Sequence, residues 1–326
     1  MLIDTHSHYY GEALFHRLAM RNGVPRVVVE AGQRFMVTPT SRFALRGGFV
    51  DLTDRLAWMD QQGIDHQLMT FPGALGPEVL PAAEAIVITR DVNDELAGVV
   101  RAHPARFSAL AGLPMADVDA CILELERAMG QGLRGAILPA NYFLSIAGMA
   151  ALDPLFAAAD RLGAHLMVHP GQRHDESLEP RTWPDLTMHR ASTIELHGVI
   201  THALLTLIHS GALQRFPRIG WQVVNLGGQF PFVVERMDHI VATRDPAAPR
   251  PSALLGSIVF DCASLGPRAL EMAVKVFGAE RVMFGTDYPI FATDVSRQAL
   301  RDADLSAGQR AMVAHGTART SLGIGR

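Results

Sequence analysis

Short apolar runs alternate along the chain with longer stretches in which apolar positions return at helical spacing. That alternation predicts parallel strands joined by crossover helices, an α/β fold. Eight runs stand out: LIDTH from Leu2, HQLMTF from His66, FSALAGL from Phe107, GAILPA from Gly135, AHLMVHP from Ala164, IGWQVVN from Ile219, SIVFDC from Ser257 and RVMFGTD from Arg281. Eight strands suit a distorted (β/α)8 TIM barrel, and a chain of 326 residues falls within the range such barrels occupy as one domain. Between them, DACILELERAMGQGLRG sets Ile122, Leu125, Ala128 and Met129 on one helical face and stops at Gly132, and DPLFAAADRLGAH repeats the scheme up to Gly163. Two stretches break the rhythm, residues 9–48 and 171–189, and both follow strands that end in histidine. Loops after barrel strands lie on the catalytic face, so these insertions after strands 1 and 5 are expected to act as lids. A small separate subdomain is the alternative for the first.

Composition narrows the partners more than the fold. With 48% hydrophobic and 19% charged residues the chain has ample material for a buried interior. A net charge of -4, from 29 basic and 33 acidic residues, speaks against nucleic acid or another polyanion held by bulk electrostatics, and for a small-molecule substrate. Cys121 and Cys262 are too few for a disulfide framework and fit a reducing cytoplasm as small core residues. No basic leader followed by an apolar stretch opens the chain, and no run of membrane-span length is free of charge or proline. A cytoplasmic protein with no membrane partner is expected.

The candidate chemistry lies at strand ends. Alternate residues of a strand face one side, so His6 and His8 in LIDTHSH both turn toward the axis. His169 ends the fifth run and Asp287 the eighth, which brings all four to one rim. Three imidazoles and a carboxylate can hold one divalent cation with a position open; zinc suits that set best and manganese also fits. Lys275 is the only lysine and sits on the helix before the eighth strand, so neither a lysine-bridged pair of metals nor a Schiff base has a residue to use. No G-x-S-x-G turn supports a serine nucleophile.

The segments DTHSHYY, VNDELAGVVRAHPARFSALAGLP, ELERAMGQGLRGAIL, LFAAADRLGAHLMVHPG, LIHSGALQRFPRIGWQVVNLGGQFPFVVERMDH and RVMFGTDYP resemble, in this order and over nearly the whole chain, the amidohydrolase-related decarboxylases. Aminocarboxymuconate semialdehyde decarboxylase, the resorcylate decarboxylases and 6-methylsalicylate decarboxylase are of this type. The resemblance implies metal-dependent, non-oxidative decarboxylation of an aromatic or unsaturated carboxylic acid. Hydrolysis of a lactone or amide, or hydration, is the alternative within the same superfamily. By motif, His6 and His8 match the first two metal ligands of the family, His169 the third and Asp287 the carboxylate. Arg236 matches an arginine that reaches the substrate carboxylate of a neighbouring subunit, which implies a homodimer; a helix-surface residue is the other reading.

One position departs from the pattern. Where VVNLGGQFP carries Asn225, the family usually has a histidine that handles a proton, and an amide cannot titrate. Another group such as Asp287 then moves the proton, or the reaction differs, or the chain is an inactive small-molecule-binding barrel. Further substrate candidates are Arg42 and Arg46 in the first insertion, His174 and His189 in the second, and Phe71 as an apolar wall. His197, His202 and His209 fall in an apolar stretch where helix packing is the plainer role. Asp261 ends the seventh run and is placed to orient a ligand.

Overall fold

The computed structural model describes residues 1–38, 41–49, 51–73, 76–176 and 185–324. All eight predicted runs are strands. After β1 (Ile3–His8) come three strands that the apolar pattern did not show, β2 (Arg26–Glu30), β3 (Gln33–Val37) and β4 (Arg42–Ala44). The remaining seven follow as β5 (His66–Thr70), β6 (Phe107–Leu110), β7 (Gly135–Pro139), β8 (His165–His169), β9 (Gly220–Val223), β10 (Val259–Asp261) and β11 (Val282–Met283). β1, β5 and β6 form one parallel sheet, and β7 to β11 a second, in chain order. At one junction Ala111 accepts from Ile137 and donates to Gly135. At the other, Thr5 donates to Phe284 and His8 to Tyr288. β1 is buried along its whole length, as expected of a parallel strand covered on both faces.

Local chemistry fixes the crossovers. The helix Leu52–Gln62 starts at Asp51, whose side chain accepts from the Thr53 amide at 2.6 Å, and ends at Gly63 in the left-handed region, φ 67°. The helix Val118–Gly130 buries Cys121, Glu124, Leu125 and Ala128, while Ile122 and Met129 pack against the core from its edge. Both cysteines are free and buried, as small core residues should be.

The first insertion is built from the helix Glu12–Ala19 and an antiparallel meander, β2–β3–β4. Its Val27, Met36 and Leu45 belong to the same apolar cluster as the strand residues Ile3 and Leu68. Of the second insertion, residues 177–184 lie outside the described residues. It leads into a continuous helix, Thr187–His209, long and apolar enough by length and composition to cross a membrane, which the reading of the sequence did not anticipate. Arg190 and Glu195 lie in its opening π-helical turn, which left the later apolar run looking short. Ile200, Ala203, Leu204 and Leu207 bury one face of it in the core.

Candidate metal centre

Strand geometry and a second hydrogen bond fix each histidine of the cluster. His6, His8 and His169 are buried, and their ring centroids lie 5.3, 5.2 and 4.8 Å apart with the planes nearly perpendicular. One nitrogen from each falls within 4.8 Å of the others. The register of β1 on β5 slips between Asp4 and Ser7, a bulge that places one more residue on β1 than on its partner. Nδ1 of His6 meets Asp261 Oδ1 at 2.8 Å, and Nδ1 of His169 meets the Pro170 carbonyl at 2.9 Å. Facing an acceptor, each Nδ1 carries the proton and leaves the Nε2 lone pair for a cation. His8 Nδ1 pairs with Thr70 Oγ1 at 2.7 Å.

Asp287 joins them from beyond β11, its Oδ1 3.2 Å from His8 Nε2 and 3.7 Å from His6 Nε2. Its backbone is held in the left-handed region, φ 61°, by a 2.7 Å hydrogen bond from its amide to the His6 carbonyl. Such a conformation in a residue other than glycine costs about 1–3 kcal/mol and persists where the surroundings over-determine it. Burial opposes charge on all three imidazoles. It lowers His8, against the pull of Asp287, and together with the neighbouring imidazoles pushes His169 well below the ordinary histidine value. In His6 burial is outweighed by Asp261, Asp287 and Asp4, which lift it to about 9. His6 Nε2 is buried with no hydrogen-bond partner, the situation of a donor atom that a cation satisfies. Nitrogen and oxygen donors of this kind make a site for one divalent metal ion.

The remaining candidates scatter. Phe71 is fully buried and lines a small cavity with Gly73, Glu78, Ile137, Pro139 and His169. Asn225 is buried in the left-handed region, φ 51°; its Nδ2 donates to the Ala263 carbonyl at 3.1 Å and its amide reaches Asp261 Oδ1 at 3.4 Å. Asp261 Oδ1 is thus shared between His6 Nδ1 and the Asn225 amide. His174 is exposed and bonded to the Tyr142 hydroxyl at 2.7 Å. Arg42 pairs with Glu30 and stacks over Phe35. Arg46, His189 and Arg236 are exposed, as are His202 and His209, while His197 Nδ1 bonds the Thr193 carbonyl within its own helix. Lys275 is exposed on the helix Pro267–Phe277, off the cluster.

Sequence reasoning missed the polar groups beneath the rim. Arg55 is 1% exposed; its guanidinium donates to Gln67 Oε1 at 2.8 Å and to the His8 carbonyl, and lies 4.7 Å over the Tyr288 ring. Burial pulls it down to about 10, so it stays charged at neutral pH. Gln67 in turn donates to Asp4 at 2.7 Å, and Asp4 accepts from Thr286 Oγ1 at 2.6 Å, tying β1 to the segment that carries Asp287. Burial raises Asp4 to about 6, against the hydrogen bonds that lower it. An arginine on the buried stripe of DLTDRLAWMDQQ, one turn before Met59, was the available signal.

The chain belongs to the amidohydrolase family, whose model matches residues 3–324. Among curated relatives it is 29% identical over 245 residues to the 2-amino-3-carboxymuconate-6-semialdehyde decarboxylase of Dictyostelium discoideum, covering 72% of this chain and 66% of that protein. It is 24% identical over 302 residues to a gamma-resorcylate decarboxylase of Polaromonas, covering 86% and 90%. Among solved structures it superposes on 5-carboxyvanillate decarboxylase from Sphingomonas paucimobilis with a TM-score of 0.74 at 24% identity, covering 99% of each chain. A Polaromonas dihydroxybenzoic acid decarboxylase with bound manganese and 2-nitroresorcinol superposes with a TM-score of 0.75 at 20% identity, covering 100% of this chain and 97% of that one.

Proposed function

We propose that this chain is a metal-dependent, non-oxidative decarboxylase of an aromatic or unsaturated carboxylic acid. His6, His8, His169 and Asp287 hold one divalent cation at one mouth of a closed (β/α)8 barrel formed as a single domain. The observation that carries this reading is the convergence of three buried imidazoles, two of them with the tautomer fixed by an acceptor, and a carboxylate from three strands and the segment beyond the last. The names of the relatives and of the solved neighbours support the reaction class. The donor set suits zinc; manganese, bound in the Polaromonas neighbour, is the alternative. Held by these four residues, a divalent cation would orient the acid and offset the negative charge on its carboxylate or a neighbouring oxygen.

The side chains supply the rest. Departure of carbon dioxide leaves electrons on carbon, so a proton must reach the carboxyl-bearing carbon first, with the unsaturated system accepting the electron pair. We assign that proton to Asp287, an ionisable group whose Oδ1 lies 3.2 Å from His8 Nε2. Asn225 cannot titrate, and with Nδ2 on a backbone carbonyl it shapes the strand end. That substitution weighs more heavily against hydrolysis, which needs a base on its water, than against decarboxylation. Phe71 provides an apolar face for a ring. Arg46 is the candidate contact to the acid from the first insertion, which we read as a lid, and His174 and His189 are candidates from the second. Arg236, Phe232 and Ile240 succeed one another at four-residue spacing on the exposed face of the helix Phe230–Arg244. That stripe supports a homodimer in which Arg236 reaches the neighbour's substrate. A cytoplasmic location completes the reading.

The test is metal analysis of the purified protein followed by carbon dioxide release from hydroxybenzoates and muconate-type acids. Release from at least one acid, abolished by chelation and restored by zinc or manganese, is expected. Acid released from a lactone or amide instead would move the assignment to hydrolysis, and a metal-loaded protein inert to every class would make it a binding barrel.

A further inference from the structure

Below the three imidazoles the interior is polar where apolar side chains would suffice. Gln222 on β9 is fully buried, and its Nε2 donates to the Thr5 carbonyl at 3.1 Å and to Asp261 Oδ2 at 2.8 Å. A carbonyl and a carboxylate only accept, so they fix which way the amide points, and its Oε1 must face His165 Nε2 at 2.9 Å as an acceptor. His165 therefore donates from Nε2. Burial takes this imidazole down to about 4, so it is neutral, and its Nδ1 packs where any Cβ at Gly220 would stand 2.8 Å away. Asp261 is surrounded by donors: Gln222 on Oδ2, and His6 Nδ1, the Ala263 amide and the Asn225 amide on Oδ1. Three hydrogen bonds thus run from β8 through β9 and β10 to β1, ending on the nitrogen of His6 that faces away from the cluster.

We propose that Gln222 is a positioning residue for the metal: by fixing Asp261 it sets the tautomer and ring orientation of His6, while touching neither the ion nor the substrate. The inference rests on the metal reading above and deepens it. Its energetic basis is that a buried hydrogen-bond chain works only when every member is satisfied. Methionine at 222 keeps most of the volume but leaves Asp261 Oδ2 and His165 Nε2 without their partner. Asp261 then keeps only the donors on Oδ1, and with Oδ2 unpaired in the interior the carboxylate can rotate about Oδ1 and loosen its hold on the proton at His6 Nδ1.

Two readouts test this. In metal-free protein held above the His6 value of about 9, where the imidazole is neutral, ¹⁵N–¹H NMR is expected to show His6 as a single Nδ1–H tautomer, and Gln222→Met to show a mixture. In competition with a chromophoric chelator, Gln222→Met is expected to weaken Zn²⁺ and Mn²⁺ binding by about 10–100-fold, the range for partners that orient metal ligands. Because Gln222 acts through Asp261, the double variant Gln222→Met/Asp261→Asn should bind no more than about twofold more weakly than Asp261→Asn alone. Wild-type affinity in folded Gln222→Met, or losses that multiply in the double variant, would overturn the proposal. If Gln222→Met does not fold, Gln222→Glu decides, since a carboxyl group has at most one proton and cannot serve both Thr5 and Asp261; unchanged affinity there overturns it equally. A wild-type protein that takes up neither ion sinks the metal reading, and the tautomer measurement on metal-free protein still stands by itself.

Discussion

The strand-end cluster and the charged residues on the surrounding loops and helices were all candidates for the same chemistry, yet the structure treats them differently. His6, His8 and His169 are buried, and each has its second nitrogen tied to a partner. Arg46, His189 and Arg236 are exposed and, among the described residues, make no side-chain hydrogen bond or ion pair. A group held by packed strands has its rotamer fixed before a ligand arrives. An exposed arginine still carries roughly 2 kcal/mol of rotamer entropy that binding must overcome. The cluster is therefore preorganised for an ion, whereas any contact made by the exposed arginines would first have to order them.

Substitutions test that contrast, beginning with the most severe. His169→Ala removes one of three converging nitrogens, and elemental analysis should find no bound zinc or manganese and no carbon dioxide release; full metal retention would dismantle the cluster as a site. Asp287→Asn keeps the shape and removes the proton, so kcat for carbon dioxide release should fall about 10²–10⁴-fold, the usual contribution of a general acid. A fall in metal content without that loss in kcat of the reloaded enzyme would assign Asp287 to binding alone. Arg55→Met leaves the His8 carbonyl and Gln67 without a buried donor, and urea unfolding should show a loss of about 2–4 kcal/mol, since each unsatisfied buried group costs about 1–3 kcal/mol. Arg236→Ala is the mildest. A roughly tenfold rise in KM with kcat spared is expected from one lost hydrogen bond to a carboxylate, and sedimentation should show Phe232→Glu shifting the dimer to monomer. No change in either would return that helix face to the solvent.

Much of this was legible in the chain. The eight apolar runs became eight strands because a parallel strand buried on both faces leaves a nearly continuous apolar signature. The meander β2–β3–β4 was not seen. RVVVE and QRFMV are short and half-exposed, so they carry a weaker signal than a core strand. Among the candidate site residues, His6, His8, His169 and Asp287 could be named from the chain because each falls at or near the end of a strand-like run, whereas Gln222, Gln67 and Arg55 lie inside elements and look like ordinary polar interruptions.

The sequence by itself determined the inward face of each strand and the residue type at its end, because side-chain direction along a strand follows a period of two and needs no knowledge of neighbours. It also determined that one cation, rather than a lysine-bridged pair, was the available chemistry. Only the tertiary structure decided which nitrogen of each imidazole is bare, where Asp287 stands and why an arginine lies buried under His8. Those outcomes depend on partners far apart in the chain, 255 residues for His6 and Asp261 and 282 for Asp4 and Thr286, and the register of packed strands, which no local pattern encodes, brings them together.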